Sequence, residues 1–138
     1  MSKRSITLTM KSDHEYESVN ATGNVVGIDM YAGDEKNHQA PMELLLSALA
    51  GCSAIDTVLM MKKKRREIAD FRIEATGERH DGIPAFYTSI HMKFTLVSPD
   101  ATPEEFEKVV RLAVEKYCSV ASSLKPEITF STVLLREI

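Results

Sequence analysis

The chain has 138 residues, which is the length of one domain and leaves no room for a second independent core. Its 43% hydrophobic and 27% charged content is typical of a soluble globular protein. We therefore expect a single domain over residues 1–138. A net charge of −3 gives no argument for nucleic acid or an anionic membrane as a partner, and we expect neither.

The N-terminal part of the sequence predicts three short strands. Residues 6–10 alternate isoleucine, leucine and methionine with threonine, which is the period of a half-buried strand. Residues 16–19 and 25–30 predict two further strands, joined by a turn over residues 20–24 that contains asparagine and glycine. Residues 31–40 are polar, and we expect them to form a loop.

Pro41 then begins a long helix, because proline suits the first helical position and Glu43 is well placed on the helix dipole. The helix is apolar on nearly every face as far as Met61, so it must be buried on nearly every face. A membrane span is opposed by Asp56, since a charge near the bilayer centre costs about 2.5–3.5 kcal/mol. We therefore expect a second subunit to cover this helix. The basic residues 62–66 are then the cationic end of the helix rather than a nucleic-acid patch.

The C-terminal half returns to strands, with one more helix between them. Residues 70–76 alternate, a turn follows at residues 81–82, and the segment from residue 86 to 96 predicts a longer strand. A capping box at Thr102 begins a helix that we expect to continue to Leu124, and a last strand covers residues 128–135. The order predicts an α+β fold with mostly antiparallel pairing. The side chains expected to face inward are Phe71, Ile73, Ala75, Phe86, Ile90, Met92, Phe94, Leu96, Phe106, Val109, Val110, Ala113, Tyr117, Val120, Ala121 and Leu124.

The N-terminal residues lack the apolar segment of a secretory signal, so we expect the protein in a reducing cytoplasm. There the two cysteines, Cys52 and Cys118, are better candidates for redox chemistry than for a permanent disulfide. The plainer alternative is that both are inert core residues, because free cysteine is among the most buried residue types.

Two segments resemble one family. The run Pro41-Met-Glu-Leu-Leu-Leu-Ser-Ala-Leu-Ala-Gly-Cys52-Ser-Ala-Ile-Asp56 resembles the central helix of OsmC/Ohr proteins, and Glu115-Lys-Tyr-Cys118-Ser-Val resembles their second cysteine on the other long helix. The sequences around Cys52 and Cys118 most resemble those of the YhfA-like branch. The resemblance implies an OsmC-like fold, with antiparallel sheets packed around two long helices in an intertwined homodimer.

The resemblance also implies a function, which is the thiol-dependent reduction of organic hydroperoxides. Cys52 would be the peroxidatic thiol, Cys118 would resolve its sulfenic acid as a disulfide, and a lipoyl-type dithiol would reduce that disulfide. No metal or organic cofactor is implied, and the four histidines have no metal-ligand spacing.

A peroxidatic thiol needs a nearby cation or helix N-terminus, and the helical neighbours of Cys52 offer neither. Peroxidase members of the family pair a loop arginine with a glutamate ten positions before the cysteine. In this sequence Met42 stands there, Glu43 is the nearest candidate, and no arginine lies between Ser5 and Lys64. An alternative function is therefore a non-enzymatic dimer that binds a small apolar ligand in the groove between its subunits, where Leu, Met and Ala are abundant.

Overall fold

The computed structural model describes residues 2–138, and the chain divides into two compact units, of which the first ends at Leu45 and the second is Leu46–Ile138. The first unit contains β1 (Ile6–Ser12), β2 (Glu15–Asn20) and β3 (Val25–Asp29), which pair antiparallel in the order β1-β2-β3. The three predicted strands are confirmed. The single domain over residues 1–138 stays a prediction.

The turn between β2 and β3 is stabilised by hydrogen bonds among its own residues. Gly23 has a φ of +85°, a conformation that favours glycine, and its amide donates to the Asn20 carbonyl at 3.0 Å. The Asn20 side chain accepts the Asn24 amide at 2.8 Å. This turn sets the register in which Val19 lies opposite Val25.

The apolar side chains of β1 do not lie in a core within the described chain. Ile6, Leu8 and Met10 are each more than half exposed, so the prediction of a half-buried strand is wrong for the single subunit. Among the described residues of this unit, 2–45, the only helical segments are a short 3-10 turn at Gly33–Glu35 and the first turn of the long helix.

The predicted loop after β3 is held by one buried carboxylate. Asp29 is fully buried and accepts the amides of Asn37 and His38 at 2.7 and 2.8 Å. Its other oxygen accepts the Lys36 ammonium at 3.0 Å and the Tyr31 amide at 3.3 Å. Burial opposes ionisation, but the Lys36 contact and the two amides outweigh it and lower the pKa of Asp29 to about 2.

The second unit contains most of α1 (Pro41–Lys63), which begins at the predicted proline. Within this unit α1 buries one row of side chains at four-residue spacing, and these are Leu49, Ser53, Thr57 and Met61. The helix ends because Arg65 has a φ of +62°, and the Arg66 amide then donates to the Met61 carbonyl at 3.1 Å. The basic segment 62–66 therefore marks the helix C-terminus, as predicted.

By length and composition α1 could also cross a membrane, although a core helix meets the same criteria. Its Leu49–Met61 row belongs to the core of the second unit, where it contacts strand and helix side chains. Other positions of α1 are uncovered, and Ile55 and Leu59 are 63% and 55% exposed.

That core lies on a second sheet, which consists of β4 (Asp70–Arg79), β5 (Tyr87–Val97) and β6 (Glu127–Leu135) in the order β4-β5-β6. The central strand β5 buries alternate residues, and the predicted inward set Ile90, Met92, Phe94 and Leu96 is confirmed. Phe86 is the exception: it precedes the strand, lies half exposed and stacks on His80, so its predicted burial is wrong.

The sheet differs from the predicted pairing at one edge. β4 pairs with β5 antiparallel, whereas β6 pairs with β5 in parallel over Ser89–Val97 and Glu127–Leu135. A parallel pair needs a long crossover, and the helical segment between β5 and β6 supplies it. The predicted α+β class is confirmed.

The second predicted helix is broken rather than continuous. It begins as α2 (Pro103–Leu112) with the predicted capping box, widens into a π-turn at Ala113–Tyr117, and resumes after Cys118 as α3 (Ser119–Ser123). The prediction of a single helix that continues to Leu124 is therefore wrong. The wider turn shifts the register, so Cys118 is buried and Tyr117, which was expected inside, is 51% exposed.

Candidate thiol site

The two cysteines lie on different elements of the second unit, and both are free thiols. Cys52 is in the middle of α1, directly before the buried residue Ser53. Its side chain is half-buried and packs on the edge of the core. Cys52 is thus the more accessible of the two sulfurs.

Cys118 is 1% exposed and occupies the non-helical residue at the break between the π-turn and α3. Its sulfur accepts the Ala121 amide at 3.3 Å, which makes the thiol the N-cap of α3. Thiols are uncommon caps, and this one places its sulfur at the point where the two helical segments meet.

Ser53 connects the two helical elements. Its hydroxyl donates to the Cys118 sulfur at 3.6 Å, and it is fully buried. Thr57, one turn later, donates its own hydroxyl to the Ser53 carbonyl at 2.8 Å. Two donors, one from a side chain and one from the backbone, therefore point at one buried sulfur.

The electrostatics of Cys118 combine opposing influences. Burial is the largest, and it raises the pKa of the Cys118 thiol. The Ala121 amide and the Ser53 hydroxyl act in the other direction because they stabilise a thiolate. The Cys52 thiol, a hydrogen-bonding neighbour of Cys118, raises the pKa again. The net result is a thiol that holds its proton beyond the usual range, with Cys52 beside it.

Glu43 lies in the first unit, and its contacts there are local. Its carboxylate accepts the Ala40 amide at 2.8 Å at the start of α1. The Lys36 ammonium lies 3.9 Å from the same carboxylate and also contacts Asp29. A loop cation therefore lies near Glu43, but it is a lysine and not the arginine of the family pattern. A catalytic role for Glu43 stays a prediction.

A cavity of about 410 Å³ lies against α1 in the second unit. It is mainly apolar, one turn from Cys52 through Asp56 and one residue from Cys118 through Tyr117. The residues around it are Asp56, Leu59, Met60, Lys63 and Tyr117. Within residues 2–138 no cluster of three or more histidine, cysteine, aspartate or glutamate side chains could hold a metal ion.

Sequence reasoning found both cysteines but missed Ser53 and the Ala121 amide. Ser53 could have been noticed, because a serine and a threonine interrupt the otherwise apolar row of α1. A buried hydroxyl needs a hydrogen-bond partner, so a polar residue in a core row predicts one nearby. The Ala121 amide becomes available only because the helix breaks at Cys118, and the sequence carried no sign of that break.

The more accessible thiol lies on a long helix, beside a buried thiol at a helix break. In an α+β fold this arrangement defines a two-cysteine thiol protein. A family described as OsmC-like protein matches residues 33–133, and the chain belongs to this family. The predicted OsmC/Ohr membership is confirmed.

Relatives agree with this assignment. The chain is 34% identical to YhfA of Escherichia coli K12 over 111 residues, which are 80% of this chain and 81% of that protein, in agreement with the predicted YhfA-like branch. The OsmC-like protein of Mycoplasma pneumoniae is 20% identical, with 98% of this chain and 99% of that chain covered and a TM-score of 0.84. The organic hydroperoxide resistance protein OhrB of Bacillus subtilis is 15% identical, with 96% and 97% covered and a TM-score of 0.62. The two structures show a shared fold.

Proposed function

We propose that the protein is a thiol-dependent redox protein that reduces organic hydroperoxides, with Cys52 as the peroxidatic thiol and Cys118 as the resolving thiol. The observation that carries the proposal is the placement of a partly buried thiol next to a fully buried one from a distant part of the chain. The name of the Bacillus subtilis relative, an organic hydroperoxide resistance protein, supports the choice of substrate class.

The proposed cycle has three balanced steps. The Cys52 thiolate attacks the distal oxygen of the hydroperoxide, the O–O bond breaks, and the alkoxide takes a proton to leave as an alcohol. The Cys118 thiol then attacks the sulfur of the Cys52 sulfenic acid, and water leaves as the disulfide forms. A dithiol of the lipoyl type reduces the disulfide and is itself oxidised. No metal or organic cofactor takes part.

Peroxide consumption tests the proposal directly. We expect the purified protein to consume cumene hydroperoxide when dihydrolipoamide is supplied, and mass spectrometry to show loss of two hydrogens with both thiols blocked. Cys52→Ser abolishes consumption, whereas Cys118→Ser allows one oxidation per chain and then stops. Consumption that survives in Cys52→Ser rules out this assignment. Recovery of hyperoxidised Cys52 with Cys118 still free removes the resolving role.

Glu43 is tested separately, because its contacts place it at the start of α1. If Glu43 is catalytic, Glu43→Gln lowers the rate of Cys52 oxidation while the thermal stability changes little, since glutamine also accepts the Ala40 amide. If Glu43 only caps the helix, the oxidation rate is unchanged. Asp34→Asn, a nearby exposed carboxylate in the same unit, is the matched control.

We also propose that the protein works as an intertwined homodimer, each chain a single functional domain, in the cytoplasm. Two apolar surfaces support the dimer: one face of β1 in the first unit and the Ile55–Leu59 face of α1 in the second are exposed in the single chain. Exposed patches of this kind mark interfaces in soluble proteins. Sedimentation at low micromolar concentration should give twice the 15.4 kDa chain mass. A stable monomer contradicts the dimer.

The cavity beside α1 favours one alternative, a dimer that binds a small apolar ligand without chemistry. Its 410 Å³ volume and apolar wall suit such a ligand, which is held mainly by burial. In that case a fluorescent apolar probe binds, Leu59→Asp weakens its binding while the protein still sediments as a dimer, and cumene hydroperoxide is not consumed. Leu135→Asp, another exposed leucine on a different surface, is the matched control.

A further inference from the structure

We infer that the reducing thiol attacks Cys52 and that Cys118 is the sulfur that leaves, with Ser53 as the positioning residue that receives it. The inference rests on the proposed Cys52–Cys118 disulfide and specifies which of its two sulfurs the reductant attacks. It assigns to Ser53 and to the Ala121 amide a role in the return half of the cycle.

Access decides the point of attack. A thiolate must approach one sulfur of a disulfide from the side opposite the sulfur that leaves, so the attacked sulfur has to be reachable from solvent. Cys118 is 1% exposed and enclosed by α1 and α3, whereas Cys52 is half-buried. In the single chain an incoming thiol therefore reaches the Cys52 sulfur first, and the inference requires the proposed dimer to leave a path to it.

Burial raises the pKa of Cys118 and so opposes its departure as a thiolate, and the hydrogen bonds around it offset part of that opposition. Two donors are already in place, the Ala121 amide at 3.3 Å and the Ser53 hydroxyl at 3.6 Å. Because Ser53 belongs to the buried row of α1, its hydroxyl is shielded from solvent.

The step balances. The reductant thiolate forms a bond to the Cys52 sulfur, the Cys52–Cys118 bond breaks, and its electron pair stays on Cys118 as a thiolate. That thiolate takes a proton from solvent, in keeping with its tendency to hold one. The second thiol of the dithiol then displaces Cys52 and becomes a cyclic disulfide, so the protein regains two thiols and the dithiol loses two electrons.

The site of attack can be read directly from a trapped intermediate. The disulfide is made with diamide, so that its formation does not depend on peroxidase activity. It is then treated briefly with 2-mercaptoethanol and quenched with N-ethylmaleimide in denaturant, which exposes Cys118 to the reagent. We expect mass spectrometry of the digest to find mercaptoethanol on Cys52 and maleimide on Cys118. Mercaptoethanol on Cys118, or equally on both, overturns the inference, as does failure of diamide to join the two cysteines.

This design separates the inference from the proposed function. If diamide joins the cysteines and the adduct is on Cys52 while cumene hydroperoxide is not consumed, the peroxidase proposal fails and the direction of attack stands. If peroxide is consumed but the adduct is on Cys118, the direction of attack fails alone.

The role of Ser53 is tested with Ser53→Ala, which removes the hydroxyl and little volume. We expect reduction of the diamide-formed disulfide by 2-mercaptoethanol to slow about tenfold, because one hydrogen bond to the leaving thiolate is lost. Ser119→Ala, which makes the same change at an exposed serine next to Cys118, is the control and keeps the wild-type rate.

A second measurement distinguishes positioning from a merely structural role. In Ser53→Ala the alkylation of Cys118 should require a higher pH than in the wild type, because the Ser53 hydroxyl lowers the pKa of that thiol. Ser53→Thr, which keeps a hydroxyl, should restore part of the reduction rate. Unchanged rates and an unchanged pH profile in Ser53→Ala overturn the role of Ser53.

Discussion

Each of the two units of this chain is stabilised by a different kind of interaction. The second unit has a continuous apolar core, in which α1, α2 and the central strand β5 bury large side chains such as Phe94 and Phe106. The first has an exposed sheet and depends on a polar cluster around Asp29. Apolar burial is worth roughly 25 cal/mol per Å², whereas a hydrogen bond contributes only about 1 kcal/mol net. The first unit is therefore the one that gains most from a covering surface.

The largest expected effect lies in the core of the second unit. Phe94→Ala should lower the free energy of unfolding by about 3–5 kcal/mol, because Phe94 is fully buried between Phe71 and Phe130 and leaves a cavity. Urea unfolding followed by circular dichroism measures the loss. Phe86→Ala, at a half-exposed phenylalanine, should cost no more than about 1 kcal/mol. Equal losses at the two positions would contradict the location of the core.

The next effect concerns the first unit. Asp29→Asn removes the charge that binds Lys36 and weakens the contacts with the Asn37 and His38 amides. We expect those amides to exchange with solvent about tenfold faster, while amides of β5 are unaffected. Asp34→Asn, in the same loop but exposed, is the control. Faster exchange in β5 would show that the units do not open independently.

The same carboxylate gives the first unit a sensitivity to acid. Asp29 has a pKa lowered from 3.8 to about 2, so its contribution is complete above pH 3.8 and is lost as the pH falls through about 2. Protection of the Asn37 and His38 amides should decline over that window in the wild type. In Asp29→Asn this decline in protection should be absent. A decline of equal size in the variant would show that another titratable group causes it.

A smaller effect is expected at the start of α2, where polar contacts support the apolar core. Thr102→Ala removes the hydroxyl that accepts the Glu105 amide at 3.2 Å and should cost about 1 kcal/mol. Thr102→Ser keeps the cap and should cost much less. A loss as large as that of Phe94→Ala would mean that the second unit depends on caps more than on packing.

The smallest effect is a sensitivity of the second unit to alkali. Burial raises the pKa of Cys118, so the folded chain keeps a proton that the unfolded chain loses near its ordinary pKa of about 8.5. The contribution of this proton to the free energy of unfolding is fully present below that pH. It should decline as the pH rises towards the pKa of Cys118 in the folded chain. Cys118→Ala should lack this decline, and urea unfolding of both proteins between pH 7 and pH 10 tests it.

Sequence patterns predicted the elements that periodicity and capping determine on their own. The alternation of β5, the proline at the start of α1 and the Thr102 capping box were each confirmed. The predicted burial failed at Phe86 and Tyr117, where the backbone departs from the regular period. It also failed at Ile6, Leu8 and Met10, which lie in a regular strand but are exposed in the single chain.

The site itself could be predicted only in part. Cys52 and Cys118 were found through a resemblance, and their proximity follows from how α1 packs within the second unit. The donors to Cys118 depend on a π-turn and a helix break, which tertiary packing imposes and no local propensity encodes. The parallel β6 is a similar case, because an edge strand can pair in either direction until its connection is known.

The parallel pairing of β6 also sets an order of events while the protein is being made. During translation the ribosome releases β5 well before β6, because the whole segment from α2 to α3 must be synthesised between them. Until Leu135 emerges, one edge of the β5 ladder has no partner, and the apolar side chains of β5 are incompletely covered. Such nascent chains expose a strand edge on which other chains can aggregate. We therefore expect a chain truncated before Glu127 to aggregate more than a chain truncated after Leu135.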